Sequence, residues 1–119
     1  MPVVVLLWAD WSRPAVEILP TAAELAKEYE SSVLFWTVSL QESELKPKGF
    51  PLSARHLTLK EDPTITLSRH GLQDIPAVLL YAPGGELKMA LGSSDAAPLA
   101  PADVVDAIEE LTGLESFLP

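Results

Sequence analysis

Ser12 stands where an apolar run ends, inside Trp11-Ser12-Arg13-Pro14-Ala15. A serine at a strand-to-helix junction has two chemical uses. It can attack as a nucleophile, provided a general base within hydrogen-bond reach takes its proton. It can also cap the helix with its side-chain oxygen. His56 and His70 are the only histidines. Neither sits in a serine-hydrolase context, and no Gly-x-Ser-x-Gly elbow presents the hydroxyl. The sequence therefore favours the cap. The two histidines lie 14 residues apart with no thiol between or beside them, which is no metal-ligand spacing. His70 falls at a helix end, where a cation complements the dipole. Glu42/Glu44 and Glu109/Glu110 read as solvated faces, not as acid–base dyads. The chain has no cysteine, so its own residues supply no thiolate nucleophile, no disulfide and no thiolate metal site. The expectation is no catalytic residue, no metal and no cofactor.

The elements that hold these residues follow from length and pattern. A chain of 119 residues, 48% of them hydrophobic, reads as one globular domain spanning 1–119. Eight Lys and Arg against 17 Asp and Glu give a net charge of −9. Such a surface repels phosphate backbones and anionic membranes, so the expected partner is protein, not nucleic acid or membrane. The apolar run 3–9 is too short for a signal sequence and lacks a basic flank. No stretch approaches the ~20 apolar residues of a membrane span. The expected location is cytoplasmic. Oligomeric state is not encoded in any pattern.

Val3 to Ala9, rich in β-branched residues, predicts a strand buried on both faces. Ser12 and Pro14 then open a helix. Its apolar positions, Val16, Leu19, Ala22, Ala23, Leu25 and Ala26, recur at helical spacing as far as Tyr29. Pro20 sits inside it, where a proline costs about 3 kcal/mol in an ordinary helix. Val33 to Val38 predicts a second strand. Gln41 to Lys60 lacks clear periodicity and reads as an inserted loop with one short element near His56 to Leu59. Asp62-Pro63 starts a short helix and Gly71 stops it. A strand Ala77 to Tyr81, a turn Pro83-Gly84-Gly85 and a returning strand Glu86 to Leu91 follow. Pro101 opens the last helix and Gly113 closes it. The order β-α-β-α-β-β-α predicts an α/β fold: a mixed four-stranded sheet, its first two strands joined by a right-handed crossover, flanked by helices on both faces.

This order, with its residues, resembles the thioredoxin-like family. Trp8-Ala9-Asp10-Trp11-Ser12-Arg13-Pro14-Ala15 is similar to the family's active-site segment Trp-Ala-x-Trp-Cys-Gly-Pro-Cys, with Ser12 and Ala15 where the cysteines stand. Pro20 matches the proline inside the active-site helix, and Leu25-Ala26-Lys27-Glu28-Tyr29 is also thioredoxin-like. Ile75-Pro76 matches the cis-proline dipeptide, and Gly92 the glycine after the last strand. The likeness covers residues 3–39 and 62–113. The family's usual N-terminal strand and helix have no counterpart, and 41–60 is mostly extra.

The departures define the expected function. Thiol exchange requires a thiolate at the helix start, and Ser12 and Ala15 provide a hydroxyl and a methyl instead. Leu6 replaces the family's buried acid, and Trp36 falls at the place of its lysine partner. The resemblance implies a groove lined by Trp11, Ser12, Arg13, Pro14, Ile75, Pro76 and Gly92, in which an extended protein segment docks beside the cis-proline. Arg13 places a cation at its mouth. The resulting expectation is a redox-inactive interaction or adaptor module. Two other readings stand beside it: a thioredoxin-type oxidoreductase whose cysteines at 12 and 15 were replaced by Ser and Ala, and a serine-dependent enzyme acting through Ser12.

Overall fold

The computed structural model describes residues 1–41, 46–94 and 96–116. Its elements, in chain order, are β1 (Val3–Trp8), α1 (Arg13–Glu28), β2 (Leu34–Ser39), β3 (Arg55–Thr58), α2 (Pro63–Arg69), β4 (Asp74–Tyr81), β5 (Leu87–Ser93) and α3 (Pro101–Thr112). The strands form one sheet in the order β3-β2-β1-β4-β5. β1, β2 and β3 are mutually parallel, whereas β4 runs antiparallel to both β1 and β5.

The sheet has five strands, not the expected four. The extra strand, β3, lies within the segment read as an inserted loop and pairs with β2 from Trp36↔Arg55 to Ser39↔Thr58. All four of its residues are exposed, so no burial pattern in the sequence marks it. Pairing with an existing edge creates it. The acidic pair Glu42/Glu44 lies outside the described residues.

β1 is central because its Val-Val-Val-Leu-Leu-Trp run can be covered from both sides. Val4, Leu6 and Trp8 are almost wholly buried. α1 packs over β1 and β4, and α3 packs over β4 and against α1. The alternate set, Val3, Val5 and Leu7, faces the other way. With Trp36, Leu57 and Tyr81 it lines an apolar cleft of about 370 Å³. Leu72, just after α2, sits over Gly92.

Each helix starts with proline within its first two positions, where the missing N–H has no intrahelical partner to lose. Asp62 caps α2 through Thr64 N–H (2.8 Å). Gly113 ends α3 at φ 73°, a left-handed conformation that favours glycine. α1 runs on through Pro20, which is exposed. The chain after α3 is tied back to α1 by the Tyr29 hydroxyl, which donates to the Leu114 carbonyl (2.9 Å). Among the described residues, no helix is long and apolar enough to cross a membrane.

Candidate functional site

β1 ends at Trp8, and three residues later the chain turns into α1. Ser12 makes that turn. Its backbone is extended (φ −101°, ψ 108°), its N–H donates to the Ala9 carbonyl (3.2 Å), and its carbonyl accepts the first helical bond from Val16 (3.0 Å). Its Oγ accepts from Ala15 N–H at 3.4 Å. Ser12 is therefore the N-cap of α1, 8% exposed. Ala15, one turn in, is fully buried. Neither position presents a nucleophile to solvent.

The flanking side chains point outward. Trp11 is 54% exposed, a large apolar surface for a single residue to leave in water. The Arg13 side chain is 90% exposed and pairs through Nε with Glu17 Oε1, one turn on (2.8 Å). An exposed pair of this kind contributes little to stability. It does direct Arg13 along α1. Pro14 is also exposed.

Strand pairing brings the other predicted residues to the same end of the sheet. Leu7 pairs with Ala77, so Ile75 and Pro76 lie beside the end of β1. Ala77 in turn pairs with Gly92. The Ile75–Pro76 peptide is cis. Both side chains are buried, because β4 starts at Asp74 and Ile75 joins the core. They can offer a partner backbone, not side-chain surface. Gly92 is exposed, but a Cβ there would lie 2.9 Å from Leu72 Cδ2. The exposed part of the predicted set is thus Trp11, Arg13, Pro14 and Gly92. Ser12, Ile75 and Pro76 support it from below.

Two residues that sequence reasoning missed fix this corner. Asp74 Oδ1 accepts from the Ile75 N–H (2.8 Å). Ser93, buried, donates from Oγ to the Pro76 carbonyl (2.8 Å) and accepts from Leu99 N–H (2.8 Å). The Ile75 N–H and the Pro76 carbonyl are therefore already satisfied within the chain. A partner strand pairing with the Ile75 N–H would have to displace Asp74, whereas the Pro76 carbonyl keeps a second lone pair beside Ser93. An Asp directly before Ile-Pro was a legible signal, since short acidic side chains bond to nearby backbone N–H groups. Ser93 carried no such signal.

Trp36 is not the residue beside Leu6, contrary to expectation: the register pairs Leu6 with Thr37. Trp36 sits one position away and points to the opposite face of the sheet. The Thr37 hydroxyl is 2.7 Å from His56 Nδ1 on β3. There is no lysine beside Leu6, yet the neighbouring position is polar. Burial holds the His56 imidazole below its ordinary pKa. The other histidine, His70, is the C-cap of α2. The two histidines form no pair, and no group of three or more His, Asp or Glu side chains is placed to hold a metal among the described residues.

No protein-family model matches the chain. Thioredoxin from Pyropia yezoensis is 25% identical over 100 residues, covering 84% of this chain and 75% of that protein. Thioredoxin from Synechocystis sp. matches with the same identity and coverage. Among solved structures, the exposed lipoprotein thioredoxin of Streptococcus pneumoniae superposes with a TM-score of 0.66 at 20% identity, over 92% of this chain and 84% of that one. A thiol:disulfide interchange protein from Bacteroides sp. gives 0.68 at 15% identity, over 98% and 76%. The fold is thioredoxin-like, and the names of relatives and structural neighbours support the thioredoxin-like family. This chain has no cysteine.

Proposed function

We propose that this chain, thioredoxin-like in fold and free of cysteine, is a redox-inactive member of its family that works by binding another protein. The observation that carries the reading is the state of the α1 start. The place where a thiolate would act is occupied by a buried capping hydroxyl, while Trp11 beside it is left largely in water. Exposed tryptophans are enriched among residues that anchor interfaces. In this reading Trp11, Arg13, Pro14 and Gly92 form the contact surface. Ser12, Ile75 and Pro76 hold that surface in shape. Because the Ile75 N–H is bonded internally to Asp74, the partner engages the exposed side chains first, and backbone pairing there has to displace Asp74.

The partner is a protein or an extended peptide segment, neutral or basic overall against a chain of charge −9. The proposed location is cytoplasmic. The competing reading, an oxidoreductase with replaced cysteines, draws support from the relatives named thioredoxin. It requires an encoding sequence with Cys at 12 and 15, and measurable insulin reduction by that product would favour it.

The test is affinity capture with the wild-type chain and with Trp11→Ala, both checked for native circular dichroism. Trp11 is exposed, so its removal leaves the core intact. The reading expects a protein recovered by wild type and depleted at least tenfold by the variant, the loss of a typical hot-spot side chain of ≥ about 1.4 kcal/mol. Equal recovery by both would remove Trp11 from the function.

A further inference from the structure

β5 is an edge of the sheet and, among the described residues, pairs only with β4. Alternate N–H and C=O groups of an edge strand point away from the sheet, where another chain can pair with them. Lys88, and the register shift opposite Leu87 to Met89, guard the start of β5. Residues 89–92 hold no charge and no proline, so the open part of the edge lies there.

A groove of about 330 Å³ runs beside this open edge. Its floor is apolar. Met89 and Leu91 pair with Leu80 and Val78. Those β4 residues are fully buried, but Met89 and Leu91 are only half-buried, because α3 packs over β4. Asp103, Asp106 and Glu110 of α3 form the exposed wall. Met89 lies by Glu110 at one end, and Ser93 accepts from Leu99 N–H just ahead of α3 at the other. α3 and β5 therefore run side by side in opposite directions.

The groove lies in the most acidic part of the chain. Residues 89–119 contain six Asp and Glu and no Lys, Arg or His, so they carry two-thirds of the net charge of −9. Lys88, the last base in the sequence, is paired with Glu86 (3.2 Å). Asp103 accepts from Ala100 N–H (3.2 Å) in capping α3, which leaves Asp106 and Glu110 to face a ligand.

We propose that the β5 edge takes up an extended basic segment of another protein as a sixth strand, with Lys or Arg at alternate positions turned into the groove. Strand addition supplies the main-chain bonds, and the groove reads every second side chain. The aliphatic stems of Lys or Arg lie on Met89 and Leu91, and their charged ends reach the α3 carboxylates. Asp106 and Glu110 are about 6 Å apart in helical rise, close to the ~6.7 Å between alternate residues of a strand. Two successive basic residues thus meet two carboxylates. A second copy of this chain would bring an equally acidic edge, and facing like charges oppose it. The site shares only Gly92 with the Trp11 surface and stands without it.

The test titrates the full chain, followed by NMR, with a short peptide of alternating Lys and Val and with its alternating Glu and Val counterpart. The proposal expects saturable binding of the Lys-Val peptide, slowed hydrogen exchange of backbone amides within 89–92, weakening with added salt, and no binding of the Glu-Val peptide. Asp106 and Glu110 are exposed, so Asp106→Asn/Glu110→Gln folds normally, and it weakens binding about tenfold or more by removing two charge-assisted bonds. Glu17→Gln/Glu24→Gln removes the same charge from α1 and weakens binding about twofold at most. No saturable binding, binding without slowed exchange at 89–92, or equal losses in the two double variants overturns the proposal. Slowed exchange at 89–92 that grows with protein concentration in the peptide-free chain assigns the edge to a second copy and overturns it as well.

Discussion

Replacing Ser12 by alanine and by glycine separates a helix cap from a space-filling residue. As a cap, Ser12 satisfies an N–H of the first turn of α1 through Oγ. Loss of such a cap to alanine costs about 0.5–2 kcal/mol, and replacement by glycine costs only a few tenths. The Ser12–Ala15 bond is 3.4 Å, longer than the usual ~2.7–3.2 Å range, which places Ser12→Ala at the low end, about 0.5–1 kcal/mol. For a domain of this size that is a melting-point loss of about 2–6 °C. If Ser12 instead acts by filling its nearly buried site, the order reverses, because glycine leaves the larger void. Equilibrium urea unfolding of the three proteins, with slopes compared to confirm two-state behaviour, reads this directly. Ser12→Ala less stable than Ser12→Gly supports the cap. Ser12→Gly as the less stable variant, or no loss in Ser12→Ala, refutes the reasoning. Neither variant is expected to change partner capture, since the hydroxyl is turned to the backbone.

Two more consequences concern the same end of the sheet. Gly92→Ala puts a Cβ 2.9 Å from Leu72 Cδ2. Since the obstacle is the tip of a flexible side chain, the cost is about 1 kcal/mol, and a Gly92→Ala/Leu72→Ala double-mutant cycle in urea unfolding should show favourable coupling between the two. His56 is held below its ordinary pKa by burial, so between that folded value and the unfolded one the unfolded state binds more protons. Its contribution is complete above the unfolded pKa and is lost as pH falls through the folded pKa. Stability should fall more between pH 7.5 and 5 in the wild type than in His56→Gln. Equal falls would contradict the assignment.

Much of the scaffold was legible because its signals are local. The β-branched run of β1, the Ser12, Asp62 and Gly113 boundaries and the Pro83-Gly84-Gly85 turn each depend on neighbouring residues alone. β3 was legible only as a short element near His56 to Leu59, not as a strand of the sheet, since Arg-His-Leu-Thr is short, exposed and patternless and joins the sheet only through its pairing with β2. The misplacement of Trp36 beside Leu6 has a related origin. A shift of one residue in register turns every side chain to the other face, and the ends of a strand cannot be read from sequence to that precision. Ile75 and Pro76 were identified correctly as a special dipeptide, yet their burial follows from Ile75 joining the core, a tertiary fact. Ser93 was invisible for the same reason, because its partners are Pro76, on the neighbouring strand, and Leu99, six residues on.

The most direct measurement is photo-cross-linking in the cell from a benzophenone side chain at position 10, which keeps Trp11 intact, compared with the same probe at position 24 on the exposed side of α1. The account predicts a discrete protein adduct from position 10 that disappears when Trp11→Ala is added and is absent from position 24. No adduct from position 10, or one that survives the loss of Trp11, would contradict it.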